Sequence, residues 1–170
     1  YPSERQIERL FRGLRAADDW RQVEECTCEV EPGTVSPEKY RLLREFGVTR
    51  LSIGMQTLDD GILRRIGRDV TVADTIEAYE QARAAGFDQI NIDLLAGLPG
   101  ETETSWRHTV GEVLRLVPDC VTIYQLELTH NSRFHTTKSA GRKLALADWP
   151  TKLAWVGEAF GRLEAAGYTV

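Results

Sequence analysis

The sequence predicts an α/β protein, a parallel sheet built from repeated strand–helix units. Three observations carry that expectation. Helical and strand periodicities alternate along the chain. A helix-ending phrase recurs at the joints, as Phe46-Gly47-Val48, Ala85-Gly86-Phe87 and Ala166-Gly167-Tyr168. Glycine after a last helical turn suits a left-handed C-cap, and the apolar residue beyond it folds back on the helix. The strand-like runs alternate polar and apolar residues, whereas strands of an ordinary parallel sheet are apolar on both faces. Repeated units of this kind imply right-handed crossovers. Four strands are too few to close an eight-stranded barrel, so an open sheet or a partial barrel is expected.

The elements follow in order. Residues 3–17 read as a helix entered through Pro2 and Ser3, with Ile7, Leu10, Phe11 and Leu14 on one face. Residues 24–30 read as a strand, broken by Pro32-Gly33. Ser36-Pro37-Glu38 opens a helix over 36–46. A strand over 50–55 precedes helices over 58–66 and 72–86. The strand 89–95 ends at Gly97-Leu98-Pro99-Gly100, and a helix over 102–117 follows. Pro118-Asp119 leads into a strand over 120–127. Residues 130–147 show no period and are expected to form a long loop. The last helix, over 148–166, is capped by Asp148 and packed by Trp155 and Phe160.

The stretch 89–100, Gln-Ile-Asn-Ile-Asp-Leu-Leu-Ala-Gly-Leu-Pro-Gly, is the most informative. Ile90, Ile92 and Leu94 share one face, and Gln89, Asn91 and Asp93 share the other. In the first strand Thr27, Glu29 and Glu31 oppose Cys26, Cys28 and Val30. In the second, Ser52, Gly54 and Gln56 oppose Leu51, Ile53 and Met55. In the fourth, Ile123, Gln125 and Glu127 oppose Thr122, Tyr124 and Leu126. The polar face is therefore expected to offer Glu29, Gln56, Asp93 and either Gln125 or Glu127 near the strand C-termini, where βα proteins bind ligands. Burying such groups unpaired is costly, so a wet cavity or a polar ligand is expected. The alternative is an antiparallel-like sheet with one solvated face.

The 170 residues suffice for one domain and its core, or for part of a larger one. A net charge of −5 argues against a nucleic-acid partner. No apolar run approaches the roughly 20 residues that span a bilayer. Three cysteines without paired spacing suit a reducing, cytoplasmic setting.

Glu29-Val30-Glu31-Pro32-Gly33, Arg50-Leu51-Ser52-Ile53-Gly54-Met55-Gln56, Gly67-Arg68, Asn91-Ile92-Asp93-Leu94 and Gly97-Leu98-Pro99-Gly100 occur in that order, followed by Pro118-Asp119 and Tyr124-Gln125-Leu126. Over about residues 1–128 this pattern resembles the radical S-adenosylmethionine family of oxygen-independent coproporphyrinogen III oxidase and its relatives. The resemblance implies a partial (β/α)6 barrel. It implies S-adenosylmethionine and a [4Fe-4S] cluster at the strand C-termini. It implies cofactor contacts from Glu29, Gln56, Arg68 and Asp93, and from the position of Glu127, where the side chain departs from the family's. Carboxylates accept from ammonium and hydroxyl groups, an amide donates and accepts, and a guanidinium can clasp the cofactor's carboxylate in a fork. The structural alternatives are a helix-end cation for Arg68 and simple pairing with nearby arginines for Glu29 and Asp93.

The family's CxxxCxxC cluster motif is absent; Cys26-Thr27-Cys28 has a different spacing and reads as structural. The cluster ligands are expected outside this chain, which would hold the later units of the barrel (residues 1–128), a loop segment (129–147) and a C-terminal helix with the start of a further element (148–170). Alone it is expected to be inactive and, with an unpaired sheet edge, prone to self-association. Relatives of the oxidase carry heme, so a tetrapyrrole substrate or heme is the implied partner. His130 and His135 are candidate heme ligands. A methyltransferase or another tetrapyrrole-modifying enzyme is a further alternative, since segment 129–147 is unfamiliar and loops there shape substrate pockets.

Overall fold

A computed structural model describes residues 2–17, 19–127 and 145–170. Among the described residues, ten helices and strands follow in order: α1 (Glu4–Ala17), β1 (Thr27–Val30), α2 (Pro37–Glu45), β2 (Arg50–Gln56), α3 (Asp60–Ile66), α4 (Val72–Ala84), β3 (Gln89–Ala96), α5 (Glu103–Leu116), β4 (Cys120–Gln125) and α6 (Trp149–Ala165). A single 3-10 turn, Trp20–Gln22, precedes β1 and has no counterpart in the sequence reading. Most of the expected loop over 130–147 falls outside the described residues, as do His130 and His135.

The strands lie in the order β1-β2-β3-β4, and every neighbouring pair is parallel. The antiparallel-like alternative is therefore excluded. Helical crossovers force this outcome, since parallel neighbours need connections of a dozen or more residues.

The recurring joint behaves as expected. Gly47, Gly86 and Gly167 adopt left-handed φ values of 79°, 82° and 95°. The residue after each closes the helix end: Val48 N donates to Leu43 O at 3.0 Å, Phe87 N to Ala82 O at 3.4 Å and Tyr168 N to Leu163 O at 3.0 Å. This is the Schellman pattern. Helix α5 ends differently. Val117 is left-handed with φ 51°, and Pro118 has no N–H to complete the motif. The Tyr79 hydroxyl instead donates to Leu116 O at 2.8 Å and to Val117 O at 3.2 Å.

Helix starts are capped by short polar side chains. Ser36 Oγ accepts from Lys39 N at 3.3 Å, with Pro37 in the first turn. Asp148 accepts from Thr151 N at 2.9 Å. Thr71 and Thr102 complete reciprocal capping boxes with Asp74 and Ser105.

The core lies between one sheet face and the helices. Leu51, Ile53, Met55, Ile90, Ile92 and Leu94 are buried there. Two aromatic polar tips inside it are satisfied by neighbouring helices. The Tyr40 hydroxyl donates to Ala78 O at 3.0 Å, joining α2 to α4, and Trp106 Nε1 donates to Trp155 O at 2.9 Å, joining α5 to α6.

Candidate functional site

The opposite face of the sheet is polar, and β3 supplies its centre. Asn91 and Asp93 stand two residues apart, so both side chains leave the same face. Asn91 is buried, and its Nδ2 donates to Asp93 Oδ1 at 2.9 Å and to Ser52 Oγ at 2.8 Å. The Ser52 hydroxyl donates to Asp93 Oδ2 at 2.6 Å. The Thr122 hydroxyl donates to Asn91 Oδ1 at 2.9 Å. The register explains the meeting, since Ser52 pairs with Asn91 and Asp93 with Thr122. Every proton in this chain of bonds is directed toward Asp93. Each carboxylate oxygen takes one bond from the protein and keeps acceptor capacity for a ligand.

A cleft of about 540 Å³ opens over these groups, bordered by Glu29, Glu31, Ser52, Gly54, Gln56 and Asp93. Apolar residues of α1, Ile7 and Phe11 among them, form its other wall. Gly54 keeps the floor open: a Cβ there would meet Gln56 Nε2 at 3.1 Å and Glu31 Oε2 at 3.5 Å. Gln56 itself adopts φ 64° at the end of β2, where the pairing with β3 shifts register. A non-glycine residue held left-handed is strained, and here the strain accompanies a side chain that borders the cleft.

Glu29, Gln56 and Asp93 are thus brought together. Glu29 lies on the edge strand and is exposed, with no ion pair among the described residues. Arg68 is spoken for. Its Nη1 lies 2.6 Å from Glu31 Oε1 and donates to Gly54 O at 2.7 Å, while Nη2 donates to Glu31 Oε2 at 3.1 Å.

The fourth strand is corrected. Its cleft face carries Thr122 and Tyr124, whereas Gln125 pairs with Ala96 and shares the helix-side face with Val121 and Ile123. Gln125 Oε1 is buried there without a hydrogen-bond partner. Glu127 lies past the end of β4, exposed, in a separate depression with Trp149 and Lys152. The structure does not bring Gln125 or Glu127 into the cleft with Asp93.

The sequence reading passed over Glu101. It is 7% exposed. Its Oε2 accepts from Gly97 N at 2.6 Å and Leu98 N at 3.2 Å, and Oε1 is buried without a partner. Burial pushes its pKa up to about 7, against the two backbone N–H bonds, and the charge of Asp59 adds to the rise. The signal was available: a carboxylate directly after Gly97-Leu98-Pro99-Gly100, whose tight turn leaves backbone N–H groups free.

No three His, Cys, Asp or Glu side chains converge to hold a metal among the described residues. Cys26 and Cys28 pack against the core, and burial pushes both thiols up. These groups do not fit a cluster. The cleft's donor set does fit a cationic ligand rich in hydroxyl and ammonium groups.

In-order parallel βα units, with a polar cleft on the sheet face opposite the helices, define a protein of the α/β class. The profile of the radical SAM superfamily matches residues 3–113, and the chain belongs to that superfamily, whose members use S-adenosylmethionine and a [4Fe-4S] cluster. It is 33% identical to the oxygen-independent coproporphyrinogen-III oxidase-like protein HemZ of Bacillus subtilis (strain 168), over 92% of this chain and 35% of that protein. It is 35% identical to the heme chaperone HemW of the same organism, over 82% of this chain and 37% of that protein. Coproporphyrinogen III oxidase (HemN) from Escherichia coli superposes with a TM-score of 0.84 at 29% identity, over 99% of this chain and 38% of that one. The chain therefore spans little more than a third of the length of these relatives. The resemblance expected from the sequence motifs is the family found. No helix among the described residues is long and apolar enough to cross a membrane.

Proposed function

We propose that this chain is the S-adenosylmethionine-binding arc of a radical enzyme acting on a tetrapyrrole, with oxidative decarboxylation of the propionate side chains of coproporphyrinogen III as the reaction. The observation that carries the reading is the Asp93 network, a carboxylate held by Ser52 and Asn91 beside Glu29 and Gln56. Asp93 and Glu29 accept from the cofactor's ammonium and hydroxyl groups, and Gln56 both donates and accepts. Apolar residues of α1 form the wall facing them. When bound, the cofactor and its cluster supply the one-electron chemistry, and the protein supplies binding and orientation. Glu127, outside the cleft, is assigned no contact in this reading.

The full-length protein, with its cluster reconstituted and a reductant supplied, is expected to cleave S-adenosylmethionine and to consume coproporphyrinogen III. Failure to cleave the cofactor under those conditions would overturn the enzyme reading.

A second reading, a heme carrier, is favoured by the 35% identity to a heme chaperone, as high as that to the oxidase-like relative. Heme titration separates the two. A Soret change in the wild type that is lost in His130→Ala or His135→Ala supports the carrier. No Soret change in any variant leaves the enzyme reading alone.

A further inference from the structure

Gln56 borders the cleft, but the groups that fix its backbone do not. It sits at the centre of a three-residue turn, where Thr57 N donates to Met55 O at 2.8 Å and Gln56 takes φ 64°. A three-residue turn with positive φ at its centre is the rare, strained form. Strand β2 also carries one residue more than β3 here, since Ile53 pairs with Ile92 and Gln56 with Leu94. Irregularities of this kind re-aim side chains at sites. A residue held so persists only where its surroundings fasten it.

The fastening comes from two buried threonines. Thr57 and Thr109 are both 0% exposed, and neither borders the cleft. Thr109 belongs to the buried stripe of α5 with Trp106, Val110 and Val113. An apolar side chain would fill that helix position equally well. The Thr109 hydroxyl accepts from Leu58 N at 3.1 Å and lies 3.3 Å from the Thr57 hydroxyl, and either hydroxyl can donate to the other. It therefore engages both residues that follow Gln56, on the far side of the turn from the cleft. Without it, the buried Leu58 N–H loses its partner and the strained turn loses its tether.

We propose that Thr109, acting with Thr57, is a positioning residue for Gln56: its hydroxyl ties the chain after β2 to α5 and so keeps the strained turn that presents the Gln56 amide to the ligand. This role rests on the reading of the cleft as the S-adenosylmethionine site. Thr109 itself touches no ligand.

The test is equilibrium binding of S-adenosylmethionine to the full-length protein, with its cluster reconstituted and no reductant. The forms compared are wild type, Thr109→Val, Thr109→Ser, Gln56→Ala and the double variant Thr109→Val with Gln56→Ala. Circular dichroism on each reports the fold. Thr109→Val is expected to bind about tenfold more weakly than wild type, the scale of one hydrogen bond. Thr109→Ser, which keeps the hydroxyl, is expected to restore most of the loss. In the Gln56→Ala background Thr109→Val is expected to add almost nothing, because the amide it positions is already gone. The same loss with and without Gln56 overturns the proposal, since Thr109 would then act through the fold at large. Wild-type affinity in Thr109→Val overturns it, and so does a Thr109→Ser as weak as Thr109→Val. Should Thr109→Val not fold, Thr57→Val takes its place in the same cycle, and failure of both to fold overturns the proposal, because the threonines would then serve the fold itself. Wild-type protein that binds no S-adenosylmethionine overturns the cofactor reading and this role with it, a result told apart by needing no substitution.

Discussion

Glu101 joins the turn after β3 to the start of α5 through a single carboxylate oxygen. The two backbone N–H groups it satisfies are those of Gly97 and Leu98. Its other oxygen is buried and unpaired, so ionisation has a cost that a proton removes. The folded pKa of about 7 lies above the ordinary 4.5. Between those values the folded state holds a proton that the unfolded state has lost. Stability from this group is therefore fully present below pH 4.5 and is lost as pH rises through about 7. The full swing is on the order of 3 kcal/mol. Glu101→Gln is expected to flatten that part of the stability profile. Urea denaturation across the window is the measurement, and equal slopes for wild type and variant would sink the argument. Arg68 teaches the complementary lesson. Its charge and its place after Gly67 were legible, and alternation placed Glu31 on the cleft face, but their pairing was not, because it joins the segment after α3 to the end of β1 and strand periodicity carries no signal of that approach.

At the scale of the element, alternation placed β2 and β3 correctly and misphased β4. Ser52, Asn91 and Asp93 interrupt regular apolar runs, so their face is unambiguous. Along Cys120–Gln125 the polar and apolar groups are mixed on both faces, and choosing the side that carries Gln125 and Glu127 followed polarity alone. Register decides instead: Asp93 lies opposite Thr122 and Ala96 opposite Gln125. The consequence is that Thr122, which looked incidental, orients the amide of Asn91. A graded series checks this. Thr122→Val removes one bond and is expected to cost about 1 kcal/mol, whereas Asn91→Leu strips donors from Asp93 and Ser52 and is expected to cost about 2–3 kcal/mol. Equal effects, measured by chemical denaturation, would show that the chain of bonds does not converge on Asp93. The helix joints were the most legible elements, because Gly47, Gly86 and Gly167 each carry the same local hydrogen-bond logic. Val117 escaped the pattern because proline follows it.

At the scale of the molecule, parallel pairing followed from the spacing of the units, while the closing parts of the site did not, because the chain covers little more than a third of its relatives. Among the described residues, β1 and β4 each have one strand neighbour, so each leaves an edge of unpaired backbone groups. Such edges template pairing with another chain. The 170-residue chain alone is expected to self-associate with rising concentration in sedimentation equilibrium, and a monomer that persists throughout would show that the edges are already covered. The in-order sheet has one more consequence, and it concerns synthesis. Each of β2, β3 and β4 finds its partner in the strand before it in the chain. A ribosome delivers the N-terminal part first, at about 5–20 residues per second. Every strand after β1 therefore emerges after the strand it pairs with, and the order of translation matches the order of the strands across the sheet.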